Sequence, residues 1–306
     1  MRNRIVEIGE SPARLRVDRR QLVIESNGHP HQVPLDELAV LVVAHPQVSY
    51  TQAVLSELVA AGGTFVTCDQ SRMPIGLLLP LDANSIQTER FRQQLSLSKP
   101  RAKQLWKEVV CSKIGMQAWL LEQRIQSDAG LRGLIPLVRS GDPTNIEARA
   151  ARRYWTALFG SDFRRDRNAE DHNRMLNYGY AVLRAAVARA LAAHGLHPSL
   201  GIHHHNRYNA FCLADDLMEP YRPIVDRTVS EIVDEFGEVP PLDQLVRARL
   251  LGMLICSVVI DDCNWSLLDA VSLSAASLAD AIGAKNSRKT CLRLPGRLLE
   301  AEPTEE

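Results

Sequence analysis

The stretch NRMLNYGYAVLRAAVARALAAHG, residues 173–195, repeats apolar side chains at the spacing of one helix face. The same periodicity continues over most of the chain beyond Pro80. It covers SIQTERFRQQLSLS (85–98), RAKQLWKEVVCSKIGMQAWLLEQ (101–123), IEARAARRYWTALF (146–159) and LDQLVRARLLGMLICSVV (242–259). The sequence therefore predicts that the larger, second part of the chain is all helical.

The first part of the chain has a different pattern. Residues 3–35 alternate apolar and polar positions in short runs separated by turn-forming stretches, which predicts a small antiparallel sheet. Residues 38–80 predict a strand, a helix capped at Ser49 and ended by Gly62-Gly63, and two further strands. No GxGxxG motif follows the first of these strands, so a dinucleotide site is not indicated.

Together these patterns predict an α+β protein in which a small N-terminal β-rich domain precedes a larger all-α domain. A chain of 306 residues with 45% hydrophobic content is long enough for two such domains. The predicted boundaries are residues 1–80 for the sheet domain with one covering helix, 81–98 for a linker or first helix, 99–300 for the helical domain and 301–306 for a frayed tail.

The composition excludes several classes of protein. No apolar run approaches membrane-spanning length and no signal-peptide pattern follows Met1, so we expect a soluble, cytoplasmic protein. The six cysteines form no CxxC pair, which indicates neither a zinc ribbon nor a disulfide framework. The net charge is zero, so any nucleic-acid surface must be local. The chain contains 30 Arg and 6 Lys, a ratio that suits phosphate binding but also arises from a GC-rich genome.

One candidate site residue lies in GDPTNIEARAARRYWTALFG (141–160), which predicts a helix that ends at Gly160. On this helix Glu147 falls on the apolar face, and three arginines fall on the opposite face: Arg149, Arg152 and Arg153. A carboxylate on a buried face is costly unless it is paired, protonated or bound to a metal. The alternative is a capping box, Thr144-x-x-Glu147, in which the glutamate turns back to its own helix N-terminus.

A second group of carboxylates lies in FCLADDLMEPYR (211–222). If a helix runs from about Ala210, then Asp215, Asp216 and Glu219 share one side of it. Taken alone, this pattern is typical of a solvated helix face. However, three neighbouring carboxylates repel one another, and hard oxygen ligands gathered in this way suit Mg²⁺ or Mn²⁺.

Three consecutive histidines, His203, His204 and His205, precede that cluster in a loop or short strand after Gly201. Successive residues of an extended segment point to opposite sides, so either His204 alone or His203 with His205 faces any one site. A three-histidine zinc site is therefore disfavoured, and an ordinary polar loop is the alternative. One imidazole and two carboxylates from separate helices would form a ligand set for Mn²⁺ or Mg²⁺ with open positions for phosphate oxygen and water.

Three ordered stretches of the chain resemble one known family. They are GLHPSLGIHHHNRYNAFCLADDLMEPYRPIVD (195–226), GDPTNIEARAARRYW (141–155) and LNYGYAVLRAAVARAL (176–191). They resemble CRISPR-associated protein one, the integrase of spacer acquisition, and the form LADDLMEPYRP (213–223) resembles the branch that accompanies type II systems. The resemblance extends over nearly the whole chain.

The resemblance implies a metal-dependent DNA integrase and endonuclease whose helical domain is catalytic. The family's three site positions are a glutamate early in one helix, the histidine of a Gly-x-x-His motif and an acidic residue on the next helix, and they fall on Glu147, His204 and Glu219. Asp216, one turn before Glu219, is then a candidate auxiliary ligand of the divalent ion, Mg²⁺ or Mn²⁺. In the implied reaction, the 3′ hydroxyl of a captured DNA fragment attacks a phosphodiester at the edge of a CRISPR repeat.

The resemblance also implies partners. It implies a homodimer formed through the N-terminal domain, two such dimers around a dimer of CRISPR-associated protein two, and further acquisition proteins in type II systems. The candidate DNA contacts are the basic residues on and after the Glu147 helix: Arg149, Arg152, Arg153, Arg164, Arg165, Arg167 and Arg174. Acidic residues are interspersed among them, so local salt bridges are the alternative. Asn177, Tyr178 and Tyr180 match a family motif and are interpreted first as helix packing.

Two other functions fit the same residues. One is a metal-dependent phosphoesterase or zinc hydrolase of small molecules that uses the histidine run and Asp216, and it predicts hydrolysis without strand joining. The other is a non-catalytic DNA-binding scaffold in which Glu147 only caps its helix. It predicts that Glu147→Ala lowers stability by about 1 kcal/mol and leaves activity on DNA unchanged.

Overall fold

The structure of the protein is a computed structural model that describes residues 4–166, 168–284 and 291–298. The N-terminal region contains β1 (Arg4–Ile8), β2 (Ala13–Asp18), β3 (Gln21–Ser26), β4 (His29–Pro34), β5 (Leu38–Val43), β6 (Val48–Tyr50), α1 (Gln52–Ala60), β7 (Thr64–Cys68) and β8 (Pro74–Leu78). The helices that follow are α2 (Gln87–Leu95), α3 (Lys99–Ile125), α4 (Ile146–Phe159), α5 (His172–Ala193), α6 (Cys212–Met218), α7 (Arg222–Phe236), α8 (Gln244–Gly252) and α9 (Leu267–Gly283). The predicted tail, residues 301–306, lies outside the described residues.

The strands of the N-terminal region form two sheets rather than the single predicted one. β2, β3 and β4 form the antiparallel ladder that the alternating pattern predicts, and β6 joins its edge parallel to β2. The prediction was wrong for β1, which pairs in parallel with β5 in a second sheet ordered β1-β5-β7-β8. Every side chain of β5 is buried, so this strand needs a neighbour on each edge and cover on both faces.

The predicted strand-helix-strand unit is confirmed by β5, α1 and β7, because β5 and β7 are parallel neighbours. The predicted N-cap is wrong, since α1 begins after Thr51 and Ser49 lies in β6. Pairing with β2 keeps the chain extended as far as Tyr50. Val54 and Leu58 of α1 then pack into the apolar core of this region.

The helical region is built around α5, which contacts four other helices: α6, α7, α8 and α9. At Gly179 an added Cβ would lie 2.4 Å from Cγ1 of Val225 on α7, so only glycine allows the two helices to approach this closely. None of the described helices is long and apolar enough to cross a membrane. Helix α5 thus packs against α6 and α7, which flank Glu219, whereas α4, which carries Glu147, packs against α3.

The predicted α+β class is confirmed, but the second region is not entirely helical. Residues near its end form a small antiparallel sheet in the order β10-β9-β11, with β9 (Ser257–Ile260), β10 (Cys263–Ser266) and β11 (Arg297–Leu298). Helix α8 ends at Gly252 and a 3₁₀ turn follows it. The apolar run SVVI is rich in β-branched residues, and such a short run cannot be assigned to helix or strand from periodicity alone.

A buried arginine connects the sheets to the helices. Nε of Arg247 on α8 lies 2.8 Å from Oε1 of Glu7 on β1, and the same guanidinium pairs with Glu10. The hydroxyl of Tyr178 on α5 also donates to Glu7, at 3.3 Å. A guanidinium buried to this degree is strongly destabilising unless it is paired, so these contacts hold the two regions in one orientation.

Candidate metal centre

The first turn of α4 orients Glu147. Asp142 accepts hydrogen bonds from the backbone N–H groups of Ile146 and Glu147, both at 2.9 Å, and thereby caps the helix. The Glu147 carboxylate instead accepts a hydrogen bond from Nζ of Lys113 on α3, at 2.5 Å. The capping-box alternative is therefore wrong, and the apolar-face prediction for Glu147 is the correct one.

Glu219 lies at the turn between α6 and α7 and is buried, as are Asp215 and Asp216, so the solvated-face interpretation is wrong. Oε1 of Glu219 is 2.9 Å from Nε of Arg222, and Oε2 is 2.6 Å from Nζ of Lys113. Burial alone would raise the pKa of Glu219, but Arg222 and Lys113 outweigh it and lower that pKa. Glu219 is therefore a carboxylate that stays charged inside the protein.

Lys113 brings the two glutamates together. Its Nζ lies 2.5 Å from Oε1 of Glu147 and 2.6 Å from Oε2 of Glu219, so these two oxygens are no more than about 5 Å apart. Burial alone would lower the pKa of Lys113, but the two carboxylates outweigh it and raise that pKa. Two carboxylates from separate helices thus share a single cationic group.

Asp216 fixes the orientation of His204. Asp216 is fully buried and accepts four hydrogen bonds: from the backbone N–H groups of Ile202, His203 and His204 at 2.7, 2.9 and 3.2 Å, and from the His204 ring at Nδ1 at 2.6 Å. The last of these bonds is the main reason that the pKa of His204 is raised. Glu219 also raises the pKa of His204, so the two side chains lie close enough to interact through their charges.

The loop that carries His204 requires Gly201. A Cβ at this position would lie 2.2 Å from the carbonyl oxygen of His204, which no side chain tolerates. On the same loop His203 stacks on the buried Trp106 of α3, with ring centroids 4.0 Å apart and planes within 2° of parallel. The His204 ring contacts Trp106 edge-on and the His203 ring as well, but among the three histidine rings of the described loop only that of His204 bonds Asp216.

The described residues contain no group of three or more His, Cys, Asp or Glu side chains arranged to share an ion. Lys113 occupies the position between Glu147 and Glu219 where such an ion would bind. The donor set nevertheless fits a hard divalent cation, because Oε2 of the buried Glu219 has no hydrogen bond of suitable geometry among the described groups. Asp216 also engages Nδ1 of His204, which leaves Nε2 as the ring nitrogen for a metal.

Comparison with known proteins assigns the chain to a family. The family model described as "CRISPR associated protein Cas1" matches residues 6–236. The chain belongs to the Cas1 family. A CRISPR-associated endonuclease Cas1 from Neisseria meningitidis serogroup C, strain 8013, is 38% identical over 289 residues, which are 94% of each chain.

Two solved structures have the fold of this Cas1-family chain. A casposase bound to integration product is similar over 94% of both chains, with a TM-score of 0.74 at 17% sequence identity. A Cas6-RT-Cas1–Cas2 complex is similar over 95% of this chain and 36% of that one, with a TM-score of 0.73 at 18% identity. The shared architecture includes both the strand-rich region and the helical region.

The arginines predicted to bind DNA have different surroundings in this Cas1-family chain. Arg149, Arg152 and Arg153 are exposed on α4, as the helix-face prediction requires. Arg164 donates to the backbone carbonyls of its own loop, Arg165 donates to Asn173 and Asn177, and Arg174 pairs with Glu170. Arg167 lies outside the described residues. Arg164, Arg165 and Arg174 therefore have local partners within the protein. The proposal that these arginines bind DNA stays a prediction.

A basic cleft that the sequence did not indicate lies beside Glu219. It has a volume of about 240 Å³ and is lined by Arg165, Asn177, Tyr180, Arg184 and Arg222, among others. Arg184 pairs with the buried Asp215 at 2.7 Å, and the guanidinium of Arg222 lies 4.7 Å from the ring centroid of Tyr180. The ion pair and the cation–π contact hold two guanidinium groups at the lining of one cavity, which suits a phosphate group.

Lys113 is the main site residue that the sequence prediction missed. It lies in RAKQLWKEVVCSKIGMQAWLLEQ on the same buried face of α3 as Trp106, Val109, Val110 and Gln117. A lysine at a position where the helix repeat otherwise places apolar residues indicates a buried charge, and a buried charge needs acidic partners. That signal was present in the sequence, but it does not tell which carboxylates the lysine meets.

Asp226 of α7 gives the helical core a pH dependence. It is buried and accepts hydrogen bonds from the hydroxyls of Tyr154, at 2.7 Å, and Tyr180. Burial, which these hydroxyls oppose, raises the pKa of Asp226 from 3.8 to about 6. An acid whose pKa is higher in the folded than in the unfolded protein destabilises the fold at pH values above its folded-state pKa. This destabilisation disappears as the pH falls towards the pKa of the acid in the unfolded protein.

We therefore expect the Asp226→Asn variant to gain stability over the wild type as the pH rises from 4.5 to 7. The expected change in the difference between their unfolding free energies is on the order of 2 kcal/mol. Urea unfolding of both proteins at the two pH values measures it. A difference that stays the same at both pH values would contradict the prediction.

Proposed function

We propose that this Cas1-family chain is a metal-dependent DNA integrase and endonuclease that inserts captured DNA fragments into a CRISPR array. The observation that carries the proposal is the convergence of Glu147 and Glu219, from separate helices, on one cationic position. The ring of His204 is fixed by a buried aspartate and lies within electrostatic range of Glu219. This set offers two anionic oxygen ligands and one imidazole, the kind of site at which phosphodiester chemistry takes place.

Each side chain has a distinct part in the proposed reaction. Glu147, Glu219 and the Nε2 atom of His204 would hold a divalent ion, Mg²⁺ or Mn²⁺, which when bound polarises the scissile phosphate and offsets charge on the attacking and leaving oxygens. Arg222 forms its ion pair with Oε1 of Glu219, whereas Oε2 is the oxygen that faces Lys113. Asp216 positions His204, and because both of its oxygens already accept two hydrogen bonds, we assign it this role in place of auxiliary ligand.

The same contacts weigh against the small-molecule hydrolase. That alternative needs Asp216 and the histidine run as ligands, but Asp216 is occupied and His203 stacks on Trp106. The scaffold alternative needs Glu147 as a helix cap, a task that Asp142 performs. Both alternatives therefore lack the residue arrangement on which they depend.

DNA and protein partners follow from the proposed reaction. The exposed arginines of α4 and the cleft beside Glu219 would contact DNA phosphates without reading sequence. We further propose a homodimer that assembles with CRISPR-associated protein two, and with other acquisition proteins in a type II system, in the cytoplasm. Support comes from the similar folds of a casposase bound to integration product and of a Cas6-RT-Cas1–Cas2 complex.

A plasmid-joining assay tests the proposed function. The protein is mixed with CRISPR-associated protein two, supercoiled plasmid that carries a repeat array, labelled DNA fragments and Mn²⁺ or Mg²⁺. We expect the label to be joined to the plasmid, the joining to stop when a chelator is added, and His204→Ala to be inactive. His205→Ala, on the same exposed loop, is the matched control and is expected to retain activity.

Three outcomes would contradict the proposal. Hydrolysis of a small phosphoester without joining would favour the hydrolase alternative. Binding of DNA without any reaction, in the presence of both metals, would favour the scaffold. Joining that persists in His204→Ala would refute the proposed ligand set.

A further inference from the structure

Lys113 is a buried cation at the centre of the candidate site. It belongs to the apolar face of α3, and its side chain is only 11% exposed. The other lysines that the structure describes, Lys99, Lys103 and Lys107, are exposed at the beginning of the same helix. Among these four, Lys113 alone has acidic partners within salt-bridge distance.

The lysine neutralises two carboxylates that would otherwise repel each other. Oε1 of Glu147 and Oε2 of Glu219 both lie within 2.6 Å of its Nζ. Without Lys113, these two carboxylates would repel each other, and only Arg222 would remain to offset the charge of Glu219. Lys113 therefore keeps the site assembled while no metal is bound.

A divalent ion and the ammonium group need the same oxygens. Mg²⁺ binds carboxylate oxygens at about 2.1 Å, which requires the space between Glu147 and Glu219 that Nζ fills. Arg222 does not compete in this way, because it contacts the other oxygen of Glu219, at 2.9 Å. Repulsion between the two cations makes joint occupation of the space between the carboxylates still less favourable.

We propose that Lys113 acts as an internal competitor of the metal: it holds Glu147 and Glu219 in place in the metal-free protein, and its ammonium leaves them when the divalent ion binds. This inference rests on the proposed function. It adds that the affinity for the ion is set by an exchange of one cation for another. If the lysine occupies the site in nine of ten metal-free molecules, the apparent affinity for the ion is lowered about tenfold.

The test compares Lys113→Met with the wild type, using the full chain without DNA. Thermal unfolding is measured in chelator and in Mn²⁺, and free Mn²⁺ is counted by electron paramagnetic resonance during a titration. In chelator we expect Lys113→Met to melt at a lower temperature than the wild type, because Glu147 has lost its cationic partner and Glu219 keeps only Arg222. In Mn²⁺ we expect it to gain more thermal stability than the wild type and to bind the ion at least about tenfold more tightly.

Lys107→Met makes the same chemical change at an exposed position on α3 and is expected to match the wild type in both measurements. If Lys113→Met does not fold, Lys113→Gln replaces it, because the amide can donate one hydrogen bond without a charge. Mn²⁺ affinity that is equal to or weaker than that of the wild type would overturn the role of Lys113 alone. A lack of Mn²⁺ binding in every variant, the wild type included, would overturn the metal site itself.

Discussion

Glu147→Gln is expected to reduce strand joining by about 10²–10³-fold, the loss that follows removal of one preorganised electrostatic group in other enzymes. The amide retains the shape of the side chain but has one neutral oxygen where the carboxylate offers an anionic ligand. Folding is expected to change little, because Asp142 caps α4 and Lys113 keeps its contact with Glu219. Joining is measured in the plasmid assay, and stability by urea unfolding.

The matched control for this substitution is Glu122→Gln. Glu122 forms an ion pair with Arg132 at the surface, at 2.6 Å, and surface pairs contribute little to stability. It is therefore expected to leave both joining and unfolding close to the wild type. Normal joining by Glu147→Gln would show that Glu147 is not a ligand.

Asp216→Asn is expected to have the largest effect on stability, a loss on the order of 3 kcal/mol. The four hydrogen bonds that Asp216 accepts divide two to each oxygen. In either orientation of an asparagine, its NH₂ group would face two donors in a fully buried position. The loop from Gly201 to His204 would then lose its anchor.

The Asp216→Asn variant also tests whether Asp216 positions His204 in addition to stabilising the fold. At a temperature where the variant is still folded, joining is expected to fall by about 10–100-fold, because an unfixed imidazole binds metal more weakly. In a nuclear magnetic resonance titration, the pKa of His204 is expected to fall, since its hydrogen bond to Asp216 is what chiefly raises it. Asp234→Asn, which breaks an exposed ion pair with Arg124, is the control. An unchanged pKa of His204 would contradict the proposed positioning role.

The sequence predicted those parts of the fold that depend on local periodicity. The long helices α3, α4 and α5 and the unit β5-α1-β7 were indicated by apolar spacing alone. The parallel pairing of β1 with β5 was not indicated by this spacing, because pairing between strands that are not neighbours in the chain depends on which surfaces remain to be covered. The strand β9 was missed because a run of four residues, three of them apolar, has no distinctive period.

The candidate site was predicted unevenly for a similar reason. The position of Glu147 on the apolar side of α4 followed from the helix repeat. Charge crowding indicated the cluster of Asp215, Asp216 and Glu219, and the choice of Glu219 within it rested on family resemblance. The choice of His204 over its neighbours rested on family resemblance, because no local rule distinguishes three consecutive histidines. The link between the glutamates is made by Lys113, which lies on a third helix, and such long-range convergence is visible only in the folded chain.

The ion pairs of Arg247 also affect how the protein can be divided. Glu7 and Glu10 come from the first strand and the turn after it, whereas Arg247 comes from α8, about 240 positions later. If the helical region were produced without the sheets, the guanidinium of Arg247 would have no carboxylate at its buried position. We expect such a fragment to be poorly folded, so the two regions are not autonomous units and should melt together in a single cooperative transition.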